Sequence, residues 1–144
     1  MSIDECSSYQ VDPEVFAVVA GINYSFSYRT LCLASLYLQV NDALFIATNS
    51  DKVYSSHVPE RKCPAGGCIV SAIASQCTDG KEPLFMGKPN PQIFDIIRTE
   101  HAQLREAPLA KFLMVGDNLK TDIKFGNACG IDTLVVLSGN TTLA

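Results

Sequence analysis

The chain has 144 residues, 47% of them apolar and 18% charged, with 15 acids against 11 bases and a net charge of −4. That composition excludes a disordered polymer, suits one layered domain, and offers no positive field for nucleic acid. No apolar run approaches the roughly 20 residues needed to cross a bilayer, and MSIDECSSYQ is not a secretory leader. The six cysteines then read as reduced thiols, and the expected compartment is the cytoplasm.

In chain order, strands are expected at Val15 to Ala20, Ala43 to Ala47, Leu84 to Met86, Lys111 to Val115 and Thr133 to Leu137. These runs are nearly continuous in apolar residues, which suits parallel strands covered on both faces of an α/β fold. Tyr28 to Val40 is apolar almost all round and reads as a helix. The segment from Ser50 to Gly67 has no clear period and reads as a long loop. Ile69, Val70, Ile73, Ala74 and Cys77 form one helical stripe. A composition shift near Asp79 to Pro83 divides the chain into 1–82 and 83–144. Asn90 is the expected cap of the next helix, with Pro91 in its first turn and Ile93, Phe94, Ile97, His101 and Leu104 on one face. Thr121 is the expected cap of a last helix that stops at Gly130.

Two strand ends carry chemistry. Phe112-Leu113-Met114-Val115-Gly116-Asp117 runs straight into a carboxylate, with Asp122 in the helical turn that follows. Ligands of open α/β sheets bind at the carboxyl ends of strands, and two carboxylates there suit Mg²⁺ with a substrate phosphate. Gly116 is expected to permit a tight turn. Gly87-Lys88-Pro89-Asn90-Pro91 also follows a short strand, and its prolines hold Lys88 out of a helix, where its charge can neutralise a phosphate. Taken singly, each feature is also an ordinary turn or helix-start charge. His57, Cys63, Cys68 and Cys77 match none of the common zinc spacings. Cys68 and Cys77 fit a helix near a core, His101 a core edge and His57 a solvated loop. GxGxxG and GxxxxGK[ST] do not occur, which removes the dinucleotide and P-loop fingerprints.

GKPNP followed 25 residues later by FLMVGDNLKTDI resembles the third and fourth motifs of the haloacid dehalogenase superfamily of phosphatases. The stretch VFAVVAGINYSFSYRTLCLASLYLQVNDALFIATNSD, with PAGGCIVSAI after it, resembles the cap domain of the branch containing p-nitrophenyl, phosphoglycolate and pyridoxal phosphatases. The resemblance implies an α/β cap over 1–82 and the later half of a Rossmann-like core over 83–144. It implies Lys88 as the catalytic lysine, Asp117 and Asp122 as the acids of a Mg²⁺ site, Asn118 and Thr121 beside them, and Asn49 and Asp51 in a cap loop facing substrate. A second register, with Phe45 to Asn49 as the motif whose Thr binds phosphate, agrees less well with GINYSFSY and PAGGCIVSAI.

The family's nucleophile lies in an Asp-x-Asp motif, and these 144 residues contain none. The chain therefore reads as the carboxyl-terminal part of a phosphatase of small phosphorylated metabolites, inactive alone. By the same resemblance, the strand equivalent to Lys111 to Val115 has an open edge, and self-association or completion by a partner is expected there. The competing reading is a non-catalytic homologue that binds a partner or oligomerises. A receiver-like phosphoacceptor ranks lower, because there the acceptor Asp precedes the Lys.

Overall fold

The computed structural model describes every residue except Ser56, His57, Pro59, Thr78, Asp79, Asn140 and 142–144. The expectations for His57 and for a boundary beginning at Asp79 therefore fall on residues outside the described ones. The chain divides into two compact units, Met1–Phe85 and Met86–Ala144, and both mix α and β elements. Among the described residues no helix is long and apolar enough to cross a membrane.

The first unit contains α1 (Ile3–Ser8), β1 (Ala17–Ala20), α2 (Tyr28–Val40), β2 (Leu44–Ala47), β3 (Val53–Ser55), β4 (Lys62–Pro64), α3 (Gly66–Ala74) and β5 (Leu84–Phe85). Its parallel sheet has the order β1-β2-β5, with Ala17 opposite Leu44 and Ala47 opposite Phe85. Side chains alternate across a strand, so β2 sends Phe45 and Ala47 into the core while Leu44 stays exposed. That core gathers Ala20, Leu38, Ala43, Phe45, Ala47, Val70 and Ile73. The predicted stripe holds: Val70 and Ile73 are buried, and Ile69, Ala74 and Cys77 pack against them. Ser27 and Thr30 cap α2 reciprocally, each side chain bonding the other's backbone N–H.

Three expectations fail here. The segment after Ser50 is not structureless, because β3 and β4 pair antiparallel with Tyr54 opposite Cys63; three-residue strands are too short to show a period. Strands are not covered on both faces, since Val19, Leu44 and Leu84 are exposed. Cys68 lies in α3 yet is exposed, whereas Cys77, three residues past the end of that helix, does pack against the core as expected.

The second unit contains α4 (Gln92–Glu100), α5 (Ala102–Arg105), a 3-10 turn (Leu109–Lys111), β6 (Leu113–Gly116), a π-helical turn (Leu119–Ile123), α6 (Lys124–Cys129) and β7 (Asp132–Val135). Here β6 and β7 pair in parallel, Leu113 opposite Asp132 and Gly116 opposite Val135. Phe94 of α4 meets Phe112 edge-on at 5.1 Å between ring centres. The Arg98 guanidinium stands about 6 Å from both rings and donates to the carbonyls of Leu104, Arg105 and Ala107. These bonds fix the turn that leads into β6.

The helix expected from Asn90 to Leu104 breaks at His101, whose φ of −108° and ψ of 104° are extended. His101 is therefore an exposed residue between two helices, not a core-edge one. Neither proposed cap acts as such. Pro91 stands at the N-cap of α4, and Asn118, not Thr121, accepts the Lys120 N–H at 2.9 Å. Gly130 does end α6, with φ of 68° in the left-handed region.

Candidate active site

Lys88 and Asp122 meet across 34 residues of sequence. Lys88 Nζ donates to Asp122 Oδ1 at 2.5 Å. Asp122 Oδ2 accepts the backbone N–H of Asn118 at 3.1 Å, and the Asp122 N–H returns a bond to the Asn118 carbonyl at 2.9 Å. With both oxygens engaged, the Asp122 carboxylate can lie 4% exposed without being left uncompensated. Lys88 is the outward half of the pair, its side chain 47% exposed, so the ammonium donors not given to Asp122 can face solvent.

The backbone builds this arrangement in two places. Lys88 sits in the turn after β5, where the Lys88–Pro89 peptide is cis and the Asn90 N–H closes on the Gly87 carbonyl at 3.1 Å. At the end of β6 the chain enters a π-helical turn rather than an α-helix, which brings Asp122 back beneath Gly116. A Cβ on Gly116 would overlap the Asp122 carboxylate. Gly116 is thus required for close approach and not, as the sequence suggested, for an unusual backbone turn. Asp117, the next residue, packs its carboxylate against Gly139 so closely that a Cβ there would overlap it.

The sequence-derived candidates fall into two groups. Lys88, Asp117, Asn118, Thr121 and Asp122 belong to the second unit, with Thr121 half-buried in the π-helical turn. Asn49 and Asp51 belong to the first unit, beyond the carboxyl end of β2. There they line a cavity of about 270 Å³ with Ile22, Tyr24, Val53 and Tyr54. Asn49 Oδ1 is buried with no hydrogen-bond partner. Gly66 and Gly67 let the start of α3 lie on this loop, since a Cβ on Gly67 would press on the Ser50 and Asp51 carbonyls. The residues that sequence reading missed are Gly139 and the Asn118 backbone N–H. A Gly four residues past β7 carries no residue-type signal, and a backbone donor carries none at all.

As a place for a hard cation, the second unit offers an incomplete donor set. Asp117 and Asp122 are the carboxylates at the end of β6, and both oxygens of Asp122 are bonded, to Lys88 and Asn118. Among the described residues no three His, Cys, Asp or Glu side chains converge. Mg²⁺ is commonly held by one or two carboxylates, waters and substrate phosphate, so the residues fit part of such a site.

A family model described as HAD-hydrolase-like matches residues 85–144. A glycerol-3-phosphate phosphatase of Gallus gallus is 38% identical over 137 residues, covering 92% of this chain and 41% of that protein. The fold matches a double-mutant thermostable NPPase from Geobacillus stearothermophilus with a TM-score of 0.76 at 30% identity, covering 92% of this chain and 50% of the other. It also matches a glycerol phosphate phosphatase of Mycobacterium tuberculosis in complex with magnesium, TM-score 0.71 and 31% identity, over 88% of this chain and 35% of the other. The chain thus spans well under half the length of that curated relative. Residues 85–144 thus match the haloacid dehalogenase-like hydrolases, and across both units the chain is similar in sequence and fold to p-nitrophenyl and glycerol-phosphate phosphatases.

Proposed function

We propose that these residues supply the lysine and metal-side half of a Mg²⁺-dependent phosphatase acting on small phosphomonoesters, of the phosphoglycolate, pyridoxal phosphate or p-nitrophenyl phosphate class. The observation that carries this reading is the Lys88–Asp122 pair, anchored by the Asn118 N–H beside the carboxyl end of β6. Lys88 would bring its ammonium to the phosphoryl oxygens. Asp122, held by two donors, would anchor Lys88 so that it is not free to swing. Mg²⁺, when bound at Asp117, would supply charge neutralisation of the transferring phosphoryl group. Asn118 and Thr121 shape the turn that aims Asp117, and Asn49 and Asp51 would read the organic part of the substrate.

An attacking carboxylate is the one element this set lacks, because Asp-x-Asp does not occur in the sequence. The expected outcome is that the folded 144-residue chain, its fold checked by circular dichroism, gives no Mg²⁺-dependent turnover of p-nitrophenyl phosphate. Orthophosphate with Mg²⁺ should still shift the amide resonances of Gly116 and Asn118, and Lys88→Ala should remove that shift. Turnover abolished by both Lys88→Ala and Asp117→Asn would place a nucleophile on this chain, with Asp51 the first to examine. Absence of any phosphate response would count against the phosphatase reading itself.

A second reading is favoured by one feature of β6. Among the described residues it pairs only with β7, and Leu113 and Val115 are more than half exposed. An apolar strand with an open edge is suited to pairing with another chain. Sedimentation should then show self-association that Val115→Lys reduces; a chain monomeric at all concentrations would remove self-association as its role.

A further inference from the structure

We propose that the cavity beyond the carboxyl end of β2 is an ammonium site, so that the substrate it selects is the phosphomonoester of an amino alcohol. That the amine belongs to a phosphomonoester rests on the phosphatase reading; the amine site stands on the first unit alone. The cavity encloses about 270 Å³, with room for a short aminoalkyl chain. Its most informative atom is Asn49 Oδ1, buried and without a hydrogen-bond partner. Leaving a buried acceptor unpaired is costly, and such an atom calls for a donor from outside the protein. Gly66 keeps the space beside it open, because a Cβ there would stand 3.2 Å from Asn49 Oδ1. A side chain at that position would fill the place a ligand's donor needs.

The rest of the lining selects for positive charge. Asp51, Tyr24 and Tyr54 line the cavity, and among the described residues no lysine, arginine or histidine does. A carboxylate and an amide oxygen accept hydrogen bonds, and a tyrosine ring presents its negative face to a cation. An ammonium brings only donors to such a set, whereas a carboxylate or a nitro group brings only acceptors. The start of α3 would favour an anion, but its donors are engaged. The Gly67 N–H bonds the Asp51 carbonyl at 2.8 Å, and the Cys68 N–H bonds the Ala65 carbonyl at 3.0 Å. A neutral hydroxyl can meet Asn49 Oδ1 but leaves the charge of Asp51 unanswered.

The probe is ethanolamine, which carries the amine without the phosphate, titrated into the folded full chain with amide resonances as the readout. Ethylene glycol and glycolate replace its aminomethyl end by a hydroxymethyl group and a carboxylate. The expected result is saturable shifts at Asn49, Val53 and Gly66 with ethanolamine, a clearly weaker response to ethylene glycol, and none to glycolate. Asp51→Asn, at an exposed position, should weaken ethanolamine binding roughly two- to fivefold. Asn49→Ala, checked for fold by circular dichroism, should weaken it further; if that variant does not fold, Asp51→Asn carries the test. An equal response to ethylene glycol would remove the need for charge and overturn the proposal. So would a glycolate response of equal size, which would show the Asn49 amide presenting its NH2 group, or ethanolamine binding that Asp51→Asn leaves unchanged. Absence of any ethanolamine response overturns the amine site, and orthophosphate with Mg²⁺, read at Gly116 and Asn118, then tells whether the phosphatase reading falls with it. Ethanolamine shifts without an orthophosphate response would keep the amine site and remove the phosphate from its ligand.

Discussion

The two units divide their labour unequally between cohesion and chemistry. Among the described residues, Met1–Phe85 gathers seven buried residues, Phe45 among them, into one apolar cluster. In Met86–Ala144 the buried apolar side chains among the described residues are Phe94 and Phe125, while Leu113, Val115 and Leu134 on its two strands are half exposed. Yet the second unit holds Lys88, Asp117 and Asp122, whose most buried member is a carboxylate. Stability in the first unit therefore comes from apolar area, about 25 cal/mol per Å². In the second it depends more heavily on polar pairing, where removing one partner costs more than the pair is worth.

The largest effect expected from that contrast is at Phe45, 1% exposed and at the middle of β2. Phe45→Ala removes a ring from a packed core and should cost about 3–5 kcal/mol, a large share of the roughly 5–15 kcal/mol of a small domain. Denaturant unfolding should show it as a lowered midpoint. A loss under about 1 kcal/mol would mean that the core around β2 relaxes into the space, and the contrast between the units would weaken.

A smaller effect, and one confined to the other unit, is expected from Asp122→Asn. The amide keeps the shape but withdraws the charge facing Lys88. Because Lys88 is half exposed and can be resolvated, the cost should be about 1–3 kcal/mol. Hydrogen exchange should locate it: amides of β6, α6 and β7 exchange faster, while those of α2 and β2 are unchanged. Equal acceleration in both regions would show the two units opening as one cooperative block. Gly116→Ala probes the same contact from the backbone side, and should be at least as damaging, since its methyl overlaps the carboxylate.

Legibility from sequence followed the same division. The parallel strands were readable as short, nearly continuous apolar runs, and the α3 stripe because its apolar residues recur with the helical period. The β3–β4 hairpin was not, since three-residue strands repeat nothing. Nor was the break at His101, where the apolar spacing runs on through Leu104 although the backbone turns extended and Arg98 ties the following carbonyls. At the site, residue type pointed to Lys88, Asp117 and Asp122. It could not show that Asp122 spends both oxygens on Lys88 and Asn118, because that depends on a π-helical turn, a backbone shape with no side-chain signature.

The smallest expected effect concerns the first unit's own ion pair, which tests whether polar pairing matters there as well. Lys81 bonds the Asp42 carboxylate and the carbonyls of Leu38 and Ala43, each carbonyl at 3.2 Å, and so closes the turn between α2 and β2. Its hydrogen bond and charge hold the Asp42 carboxyl below the usual carboxylate range. A carboxyl lowered on folding contributes stability above its unfolded pKa, about 3.9, and that contribution disappears as pH falls through the lower folded value. Asp42 has φ of 53°, a conformation Asn tolerates well, so Asp42→Asn withdraws the charge without straining the turn. The stability difference between wild type and this variant should be small at pH 7, because the carboxylate is exposed to water, and should shrink toward zero on acidification below pH about 4. A difference that stays constant through that range would assign the effect to the turn's hydrogen-bond geometry, leaving apolar burial as the sole source of the first unit's advantage.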